Sequence, residues 1–245
     1  MPLLFLLQQH TDGVCHLDRI VMIVGVSYNS VMLETTTIAD LDRIDVRVGA
    51  TFILHEASMR IVAGETLGVF GANGAGKTTL LRLLATLIAP AGGSAHVLGA
   101  DLATPARYDV RSRIGYVGHI PGLYAEMTLT ENLSFVAAAQ GIDESEVEKC
   151  LSAVGLAAAA DRRAEVCSHG MQRRAEFARI IMTQPDLLLL DEPHSTLDAD
   201  AVDLVDALVH RTVERGGAAV LVSHDRDRVA KLADECLEVL GGALR

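Results

Sequence analysis

The 245-residue sequence has no tryptophan and few other aromatic residues, five Phe and four Tyr. Half of its residues are nevertheless hydrophobic, so the core must be built mainly from Ala, Leu, Val and Ile. A chain of this length can bury a sizeable core, in one large domain or two small ones. This composition is ordinary for a soluble α/β protein.

Positive charge is also scarce. The chain has 21 Lys and Arg residues against 32 Asp and Glu residues, which gives a formal net charge of −11 at pH 7. Proteins that bind nucleic acid through counterion release concentrate Lys and Arg instead. We therefore expect no nucleic-acid partner.

The cysteines form no CxxC pair and show no regular spacing. Such a distribution indicates neither a zinc site nor a disulfide framework. A reduced, cytosolic compartment is the simplest expectation. The four residues are Cys15, Cys150, Cys167 and Cys236.

Long apolar runs are missing as well. No segment approaches the roughly 18 apolar residues of a membrane span, and the best candidate, residues 20–26, is far too short. Residues 2–7 are apolar but lack a basic start and a small-residue cleavage site, so we expect no signal peptide. A function at a membrane would require a separate partner.

The first 31 residues carry no recognisable motif. Two methionines, Met22 and Met32, lie downstream of the first residue. We interpret residues 1–31 as an N-terminal extension of doubtful origin and residues 32–245 as the working domain. The alternative is that the extension adds a genuine strand to a sheet edge.

From Thr51 onward, β-type runs alternate with helical patterns, which predicts a mostly parallel sheet covered by helices on both faces. Residues 187–190 are all leucine, as expected of a strand that is buried on both faces. The predicted strands are residues 66–70, 114–117, 187–190, 218–222 and 236–239.

A helical pattern interrupts these strands between residues 121 and 178. Thr128 and Glu131 have the spacing of a capping box at a helix start. Apolar residues then recur at helical intervals. We predict a helical subdomain at about residues 119–178. The residues on the predicted apolar face are Leu129, Leu133, Val136 and Ala137.

The segment GANGAGKTT fits the phosphate-loop pattern G-x-x-x-x-G-K-[ST], directly after a predicted strand and before a helical pattern. Its glycines allow backbone N–H groups to curl around phosphate, and the helix N-terminus adds favourable partial charge. Lys77 can reach the β- and γ-phosphates, and Thr78 can hold Mg²⁺. The predicted nucleotide-binding residues are Gly71, Ala72, Asn73, Gly74, Ala75, Gly76, Lys77, Thr78 and Thr79.

The segment LLLLDEP supplies two carboxylates at the end of a predicted buried strand. Asp191 can orient a magnesium ion through its water shell, because Mg²⁺ dehydrates reluctantly. Glu192 can reach the water that attacks the γ-phosphorus and act as its base. Alone this pattern is common, but its order after a phosphate loop makes it specific.

Two further motifs decide the family. CSHGMQRRAEFARI places Ser168 and Gly170 at a helix start, and LVSHD places His224 just past a predicted strand. The sequence thereby resembles the ATP-binding cassette (ABC) ATPases over roughly residues 42–240. The resemblance implies an α/β P-loop NTPase fold with a mostly parallel central sheet, an antiparallel β edge and a helical subdomain.

The resemblance also implies an ATP-hydrolysing head-to-tail dimer. ATP with Mg²⁺ would lie between the phosphate loop of one copy and the signature of a second copy. By position, Ser168 and the amides around Gly170 would contact the γ-phosphate of the partner's ATP. His224 would hold the γ-phosphate and the attacking water, and Asp198, in the D-loop STLD, would signal across the interface.

The signature departs from the usual family pattern LSGGQ. Cys167, His169 and Met171 differ from it, whereas Ser168 and Gly170 remain. Because the phosphate-facing elements are kept, we expect the signature to function. His169 is expected to face solvent, and contact with ATP is the alternative.

The adenine end of the site also departs from the family. An aromatic residue that often stacks on adenine should fall near Val48, with Phe52 as the nearest substitute. We therefore expect weak adenine stacking and loose base selectivity.

A single short cassette resembles the separate ATPase subunit of an exporter, placed on the cytoplasmic face of the cell membrane beside an integral membrane permease. GHIPGLYAEMTLTENL, with His119 in the glutamine-loop position, and QRR after the signature glycine resemble the ATP-binding subunits of the haem exporter of cytochrome c maturation. One alternative is an exporter of a drug, lipid or polysaccharide. Another is a soluble cassette ATPase without a transporter.

His119 stands where the family uses glutamine to connect Mg²⁺ and water at the γ-phosphate with the surface that grips the membrane subunit. Mg²⁺ prefers oxygen ligands, so we expect His119 to act through a water molecule. Imidazole changes charge near neutral pH. The predicted role of His119 is therefore pH-dependent.

Overall fold

The structure is a computed structural model that describes residues 36–194 and 199–245. The extension at residues 1–31 and the D-loop residue Asp198 lie outside the described residues. The strands are β1 (Thr37–Val48), β2 (Thr51–Val62), β3 (Thr66–Gly71), β4 (Gly92–Val97), β5 (Ala100–Asp101), β6 (Ile114–Val117), β7 (Leu187–Asp191), β8 (Ala218–Val222), β9 (Glu235–Leu240) and β10 (Ala243–Leu244). The α-helices are α1 (Lys77–Leu84), α2 (Leu129–Gln140), α3 (Ser145–Ala153), α4 (His169–Thr183), α5 (Ala199–Glu214) and α6 (Arg226–Leu232).

The larger sheet has six strands in the order β10-β9-β3-β8-β7-β6. Its neighbouring strands are parallel except for the edge pair β9 and β10, which is antiparallel. All five predicted strands belong to this sheet, and their observed ends agree with the predicted ends to within one residue. The predicted mostly parallel central sheet is confirmed.

The leucines of β7 show why a continuous apolar run forms a central strand. Side chains alternate between the two faces of a strand. Leu187 and Leu189 accordingly join a core cluster with α1 and the smaller sheet. Leu188 and Leu190 join a second cluster with the helices of the opposite face. All four leucines are completely buried, so β7 lies in the middle of the protein.

The smaller sheet has the order β2-β1-β4-β5 and is antiparallel throughout. It is the antiparallel β edge that the family resemblance implies. Strand β1 is not among the predicted strands, and its register shows why. The pairing shifts between Leu41 and Ile44, where Arg43 has a φ of 46°. This irregularity interrupts the alternation of apolar and polar residues by which a strand is recognised.

Helices α2, α3 and α4 form a layer around the second core cluster. The predicted capping box is present: the Thr128 hydroxyl accepts a hydrogen bond from Glu131 N–H, and the Glu131 carboxylate accepts one from Thr128 N–H. Helix α4 continues to Thr183, past residue 178, where the sequence pattern placed the end of the subdomain. Within the described residues, no helix has both the length and the apolar character needed to cross a bilayer.

Candidate active site

A cavity of about 490 Å³ lies beside the carboxyl ends of β3, β7 and β8. Parallel strands end at the same edge of a sheet, and ligands of open α/β sheets bind in the crevice there. The fold therefore brings together motifs that are far apart in the sequence. The residues that line the cavity are Val48, Ile53, Asn73, Gly74, Gly76, Lys77, Thr78, Thr79, His119, Asp191, Glu192 and His224.

The phosphate loop connects β3 to α1. Gly76 has a φ of 115°, and a Cβ atom there would lie 3.1 Å from the Ile53 carbonyl, so glycine is required at this position. The Lys77 ammonium donates hydrogen bonds to the carbonyls of Gly71, at 2.7 Å, and Ala72, at 3.0 Å. These bonds hold the ammonium over the phosphate loop. From this position the ammonium can reach a phosphate bound in the loop.

The N-terminus of α1 favours an anion. No side chain caps it, and its first turn contains no acidic residue. Helix N-termini carry unsatisfied N–H groups and partial positive charge, which together bind phosphate. This end of the cavity fits the phosphates of a nucleotide.

Thr78 and Asp191 provide oxygen donors next to the phosphate loop. The Thr78 hydroxyl donates a hydrogen bond of 2.8 Å to the Asp191 carboxylate, which is almost completely buried at the end of β7. Mg²⁺ takes oxygen ligands, and it is usually held by one or two protein groups together with substrate phosphates. The hydroxyl and the carboxylate therefore fit a magnesium ion.

Glu192 follows β7 with a φ of 52°, a conformation that is uncommon outside glycine. Its N–H donates a hydrogen bond of 2.8 Å to the Val222 carbonyl, which fixes the backbone. Burial raises the pKa of the Glu192 carboxyl, and neighbouring Asp191 raises it further. His224 and a hydrogen bond from Ser223 oppose this increase.

His224 lies beside Glu192. Its Nδ1 atom is 2.7 Å from the Glu192 Oε1 atom. The imidazole is 75% exposed, whereas the carboxylate is only 14% exposed. A mostly buried carboxylate with a raised pKa, oriented by an imidazole, suits a general base acting on water. The exposed imidazole can in turn approach a ligand in the cavity.

His119 follows β6 and is exposed to the same cavity. Its backbone carbonyl accepts a hydrogen bond of 3.1 Å from Arg173 in α4. The residue predicted to replace the family's glutamine thus lies in one cavity with Lys77, Asp191 and Glu192.

Comparison with known proteins agrees with this geometry. The ABC transporter family model matches residues 54–195, more than half of the chain. The chain belongs to the ABC transporter ATP-binding family. It is an ATP hydrolase and the ATPase subunit of a transporter.

Two relatives show the range within the family. Cytochrome c biogenesis ATP-binding export protein CcmA 2 of Cupriavidus metallidurans is 36% identical over 183 residues, which cover 74% of this chain and 86% of the relative. Aliphatic sulfonates import ATP-binding protein SsuB 2 of Burkholderia cenocepacia is also 36% identical, over 190 residues that cover 77% of this chain and 68% of the relative. Similarity therefore extends to a named exporter and a named importer.

A solved structure supports the fold. The dimeric ATP-binding cassette MJ0796, in a post-hydrolysis state with ADP and Pi, superposes with a TM-score of 0.76 and 22% sequence identity. The match covers 84% of this chain and 96% of that chain. The predicted P-loop NTPase fold is confirmed.

The predicted signature residues lie at the start of α4. The Ser168 hydroxyl accepts a hydrogen bond of 3.2 Å from Met171 N–H and thereby caps the helix. Ser168 and His169 are exposed, and Gly170 is half-buried. None of these residues lines the cavity described above, so their action on the ATP of a second copy stays a prediction.

The cavity wall near Val48 bears on the expectation of weak adenine stacking. Val48 lines the cavity, as predicted, and its neighbour there is Ile53. Phe52, the expected aromatic substitute, is not a lining residue. The guanidinium of Arg47 lies 3.9 Å from the centre of the Phe52 ring. Among residues 36–194 and 199–245, aliphatic side chains rather than an aromatic ring form this part of the cavity wall.

Three polar residues around the site were not among the predicted site residues. Ser223 hydrogen-bonds Glu192, and Arg173 and Glu176 form a buried pair in α4. Ser223 directly precedes His224, but serine at a strand end is too common to be a signal. Opposite charges three residues apart on a helix were the available signal for the pair, but other polar residues of α4, among them Arg174 and Arg179, weaken that signal.

Proposed function

We propose that this ABC ATPase is the separate ATP-hydrolysing subunit of an exporter, and that the exporter serves haem export in cytochrome c biogenesis. The observation that carries the proposal is His119 in the glutamine-loop position within the candidate active site. The surrounding sequence GHIPGLYAEMTLTENL resembles the cytochrome c maturation subfamily. Similarity to CcmA 2 supports the same assignment.

Hydrolysis follows from the arrangement of side chains. Lys77 and the N-terminus of α1 bind the β- and γ-phosphates. Thr78 and Asp191 would hold Mg²⁺, which would neutralise charge on the phosphates. Glu192 takes a proton from the attacking water, while His224 keeps Glu192 oriented and contacts the γ-phosphate.

A second copy of the chain completes the site. Ser168 and Gly170 stand at the N-terminus of α4, where backbone N–H groups favour phosphate. In a head-to-tail dimer they contact the γ-phosphate of the partner copy's ATP, and Asp198 signals across the interface. ATP closes the dimer, and hydrolysis opens it again.

The membrane partner is a separate integral permease, which holds the ATPase on the cytoplasmic face of the membrane. Exposed apolar residues follow His119 along the chain: Ile120 is 81% exposed and Tyr124 is 57% exposed. The rings of Tyr124 and Phe135 pack edge to face, 5.4 Å apart. Exposed apolar groups of this kind mark protein interaction surfaces. We assign the permease contact to this surface.

An importer subunit is the second candidate. Its support is the similarity to the sulfonate import protein SsuB 2, which equals the similarity to CcmA 2 in percentage identity. The ATPase site itself does not distinguish the two, because cargo is recognised by the membrane subunit.

Deletion of the gene distinguishes these candidates. Haem export predicts loss of c-type cytochromes, measured by haem staining of separated membrane proteins, and recovery when the wild-type gene is returned. The Glu192→Gln variant should not restore them. Normal cytochrome c content would overturn the haem assignment, and loss of growth on a sulfonate as the sulfur source would favour the importer.

Purification from detergent-solubilised membranes tests the partner. The tagged protein should recover an integral membrane subunit, identified by mass spectrometry. Tyr124→Ser with Phe135→Ser should reduce this recovery, whereas Tyr108→Ser, at another exposed aromatic residue, should not. Recovery of no membrane subunit would favour a soluble cassette ATPase.

A further inference from the structure

Helix α4 contains two oppositely charged side chains that are almost completely buried. Arg173 is 0% exposed and Glu176 is 1% exposed. Their Nη1 and Oε2 atoms are 2.9 Å apart. Charged groups are rarely buried unless they are paired, so the environment of this pair requires an explanation.

Both side chains hold the backbone of the segment that contains His119. Arg173 donates hydrogen bonds to the carbonyls of Gly118, at 2.6 Å, and His119, at 3.1 Å. Glu176 accepts a hydrogen bond of 2.9 Å from the N–H of Gly122. The pair therefore contacts residues 118–122 at both ends.

Stability alone does not account for the pair. Desolvation of a buried ion pair offsets much of its attraction, and apolar residues of similar volume are often as stable. Burial raises the pKa of Glu176, against the opposing effects of Gly122 N–H and Arg173. What the pair provides, and apolar residues would not, is a set of directed hydrogen bonds to the backbone of residues 118–122.

The segment at residues 118–122 also connects two cavities. His119 lines the candidate active site. Gly122 lines a second cavity of about 270 Å³, together with Leu87, Tyr116 and Arg179. Tyr124, in the proposed permease surface, follows two residues later. The charged pair thus fixes the chain between the proposed contact surface and the ATP cavity.

We propose that Arg173 and Glu176 are positioning residues that set the location of the His119 side chain in the ATP cavity. The inference rests on the proposed role of His119 in hydrolysis. It predicts that weakening the pair lowers kcat and leaves the KM for ATP nearly unchanged, because the phosphate loop is not touched. A displacement of about 1 Å in such a site reduces turnover by up to about 100-fold.

A double-mutant cycle with the purified full chain tests the inference. Arg173→Lys keeps the positive charge opposite Glu176 but replaces the planar guanidinium that bonds two carbonyls. It should lower kcat about 10- to 100-fold. His119→Ala should lower kcat as well. In the His119→Ala background, Arg173→Lys should cause no further loss, because the side chain that it positions is gone.

A second double-mutant cycle tests the other member of the pair, so that the inference does not depend on whether Arg173→Lys folds. Glu176→Gln keeps an oxygen acceptor for Gly122 N–H and is combined with His119→Ala in the same way. Melting followed by circular dichroism reports whether each variant is folded. The matched control is Glu146→Gln in α3, which changes an exposed ion pair with Lys149 at the same spacing. This control should leave kcat unchanged.

Two results would overturn the positioning role. One is a double variant whose fold-loss in kcat equals the product of the fold-losses of its two single variants. That result would indicate independent structural effects. The other is an unchanged kcat in His119→Ala, since there is then nothing to position. Failure of the ATPase mechanism itself is a separate observation, because it would appear as full turnover in Glu192→Gln.

Discussion

The Nδ1 atom of His224 lies 2.7 Å from the Oε1 atom of Glu192, so each side chain orients the other. The two residues follow neighbouring parallel strands, β7 and β8. A hydrogen bond from Glu192 N–H to Val222 also ties the backbones of these strand ends together. The proposed base is thus held by both its backbone and its side chain.

Glu192→Gln should abolish turnover and retain ATP. The amide has nearly the same shape as the carboxylate but cannot accept the proton of the attacking water, and general-base catalysis contributes roughly 10²- to 10⁴-fold. Phosphate release measures turnover, and filter binding of labelled ATP measures retention. Glu165→Gln, at an exposed residue, is the control and should hydrolyse ATP normally. Undiminished hydrolysis in Glu192→Gln would sink the assignment of the base.

Lys77→Ala should lose nucleotide binding. Its ammonium already bonds two loop carbonyls and must turn to the phosphates when a nucleotide binds. A hydrogen bond to a charged group contributes about 1.5–3 kcal/mol, so affinity should fall roughly 10- to 100-fold. Isothermal titration with ATP measures the change. Lys149→Ala, at an exposed lysine, should bind normally, and normal affinity in Lys77→Ala would refute the phosphate cradle.

Strands of the central sheet could be predicted because their signals are local. The all-leucine run of β7 alternates between two core clusters, and burial on both faces requires such a run. Strand β1 could not be recognised in the same way. Its register shifts near Arg43. Its pairing with β2 and β4 depends on residues outside β1, so the sequence of β1 alone does not reveal it.

The same distinction applies to the site. Lys77, Asp191 and His224 occur in contiguous motifs whose order is specific, and the fold brings all three to one cavity. The contacts between Arg173 and the segment at Gly118 and His119 join residues more than fifty positions apart. No local pattern encodes such a contact, because it depends on how α4 packs beside the end of β6.

The raised pKa of Glu192 predicts the position of the acidic limb of the pH–rate profile, which is the pH range in which turnover falls as the solution becomes more acidic. The base must be ionised, so turnover should fall at a higher pH than an ordinary glutamate would allow. Ser223 donates a hydrogen bond that lowers this pKa. Ser223→Ala should therefore raise the pKa and move the acidic limb to still higher pH, with little effect on the rate in alkaline buffer.

Phosphate release across a pH series measures this shift in the acidic limb. Ser94→Ala, at an exposed serine outside the site, is the control. An acidic limb that stays in place, or moves to lower pH, in Ser223→Ala would show that the hydroxyl does not stabilise the ionised Glu192.

The aliphatic wall at Val48 and Ile53 predicts loose base selectivity. Because no aromatic ring of the described residues lines this end of the cavity, ATP and GTP should be hydrolysed with similar KM values. Val48→Tyr supplies a stacking surface for either base. Stacking on an aromatic side chain contributes about 1–3 kcal/mol, so both KM values should fall roughly fivefold or more. Steady-state kinetics with each nucleotide measures the change.

Phe52 provides the matched test of the same wall. Its ring lies under the Arg47 guanidinium and outside the cavity lining, so Phe52→Leu should leave the KM for ATP unchanged. An increase in that KM would mean that Phe52 swings over to stack on adenine when the nucleotide binds. The base would then be recognised by an aromatic residue after all, and Val48→Tyr would gain little because the stacking position would already be occupied.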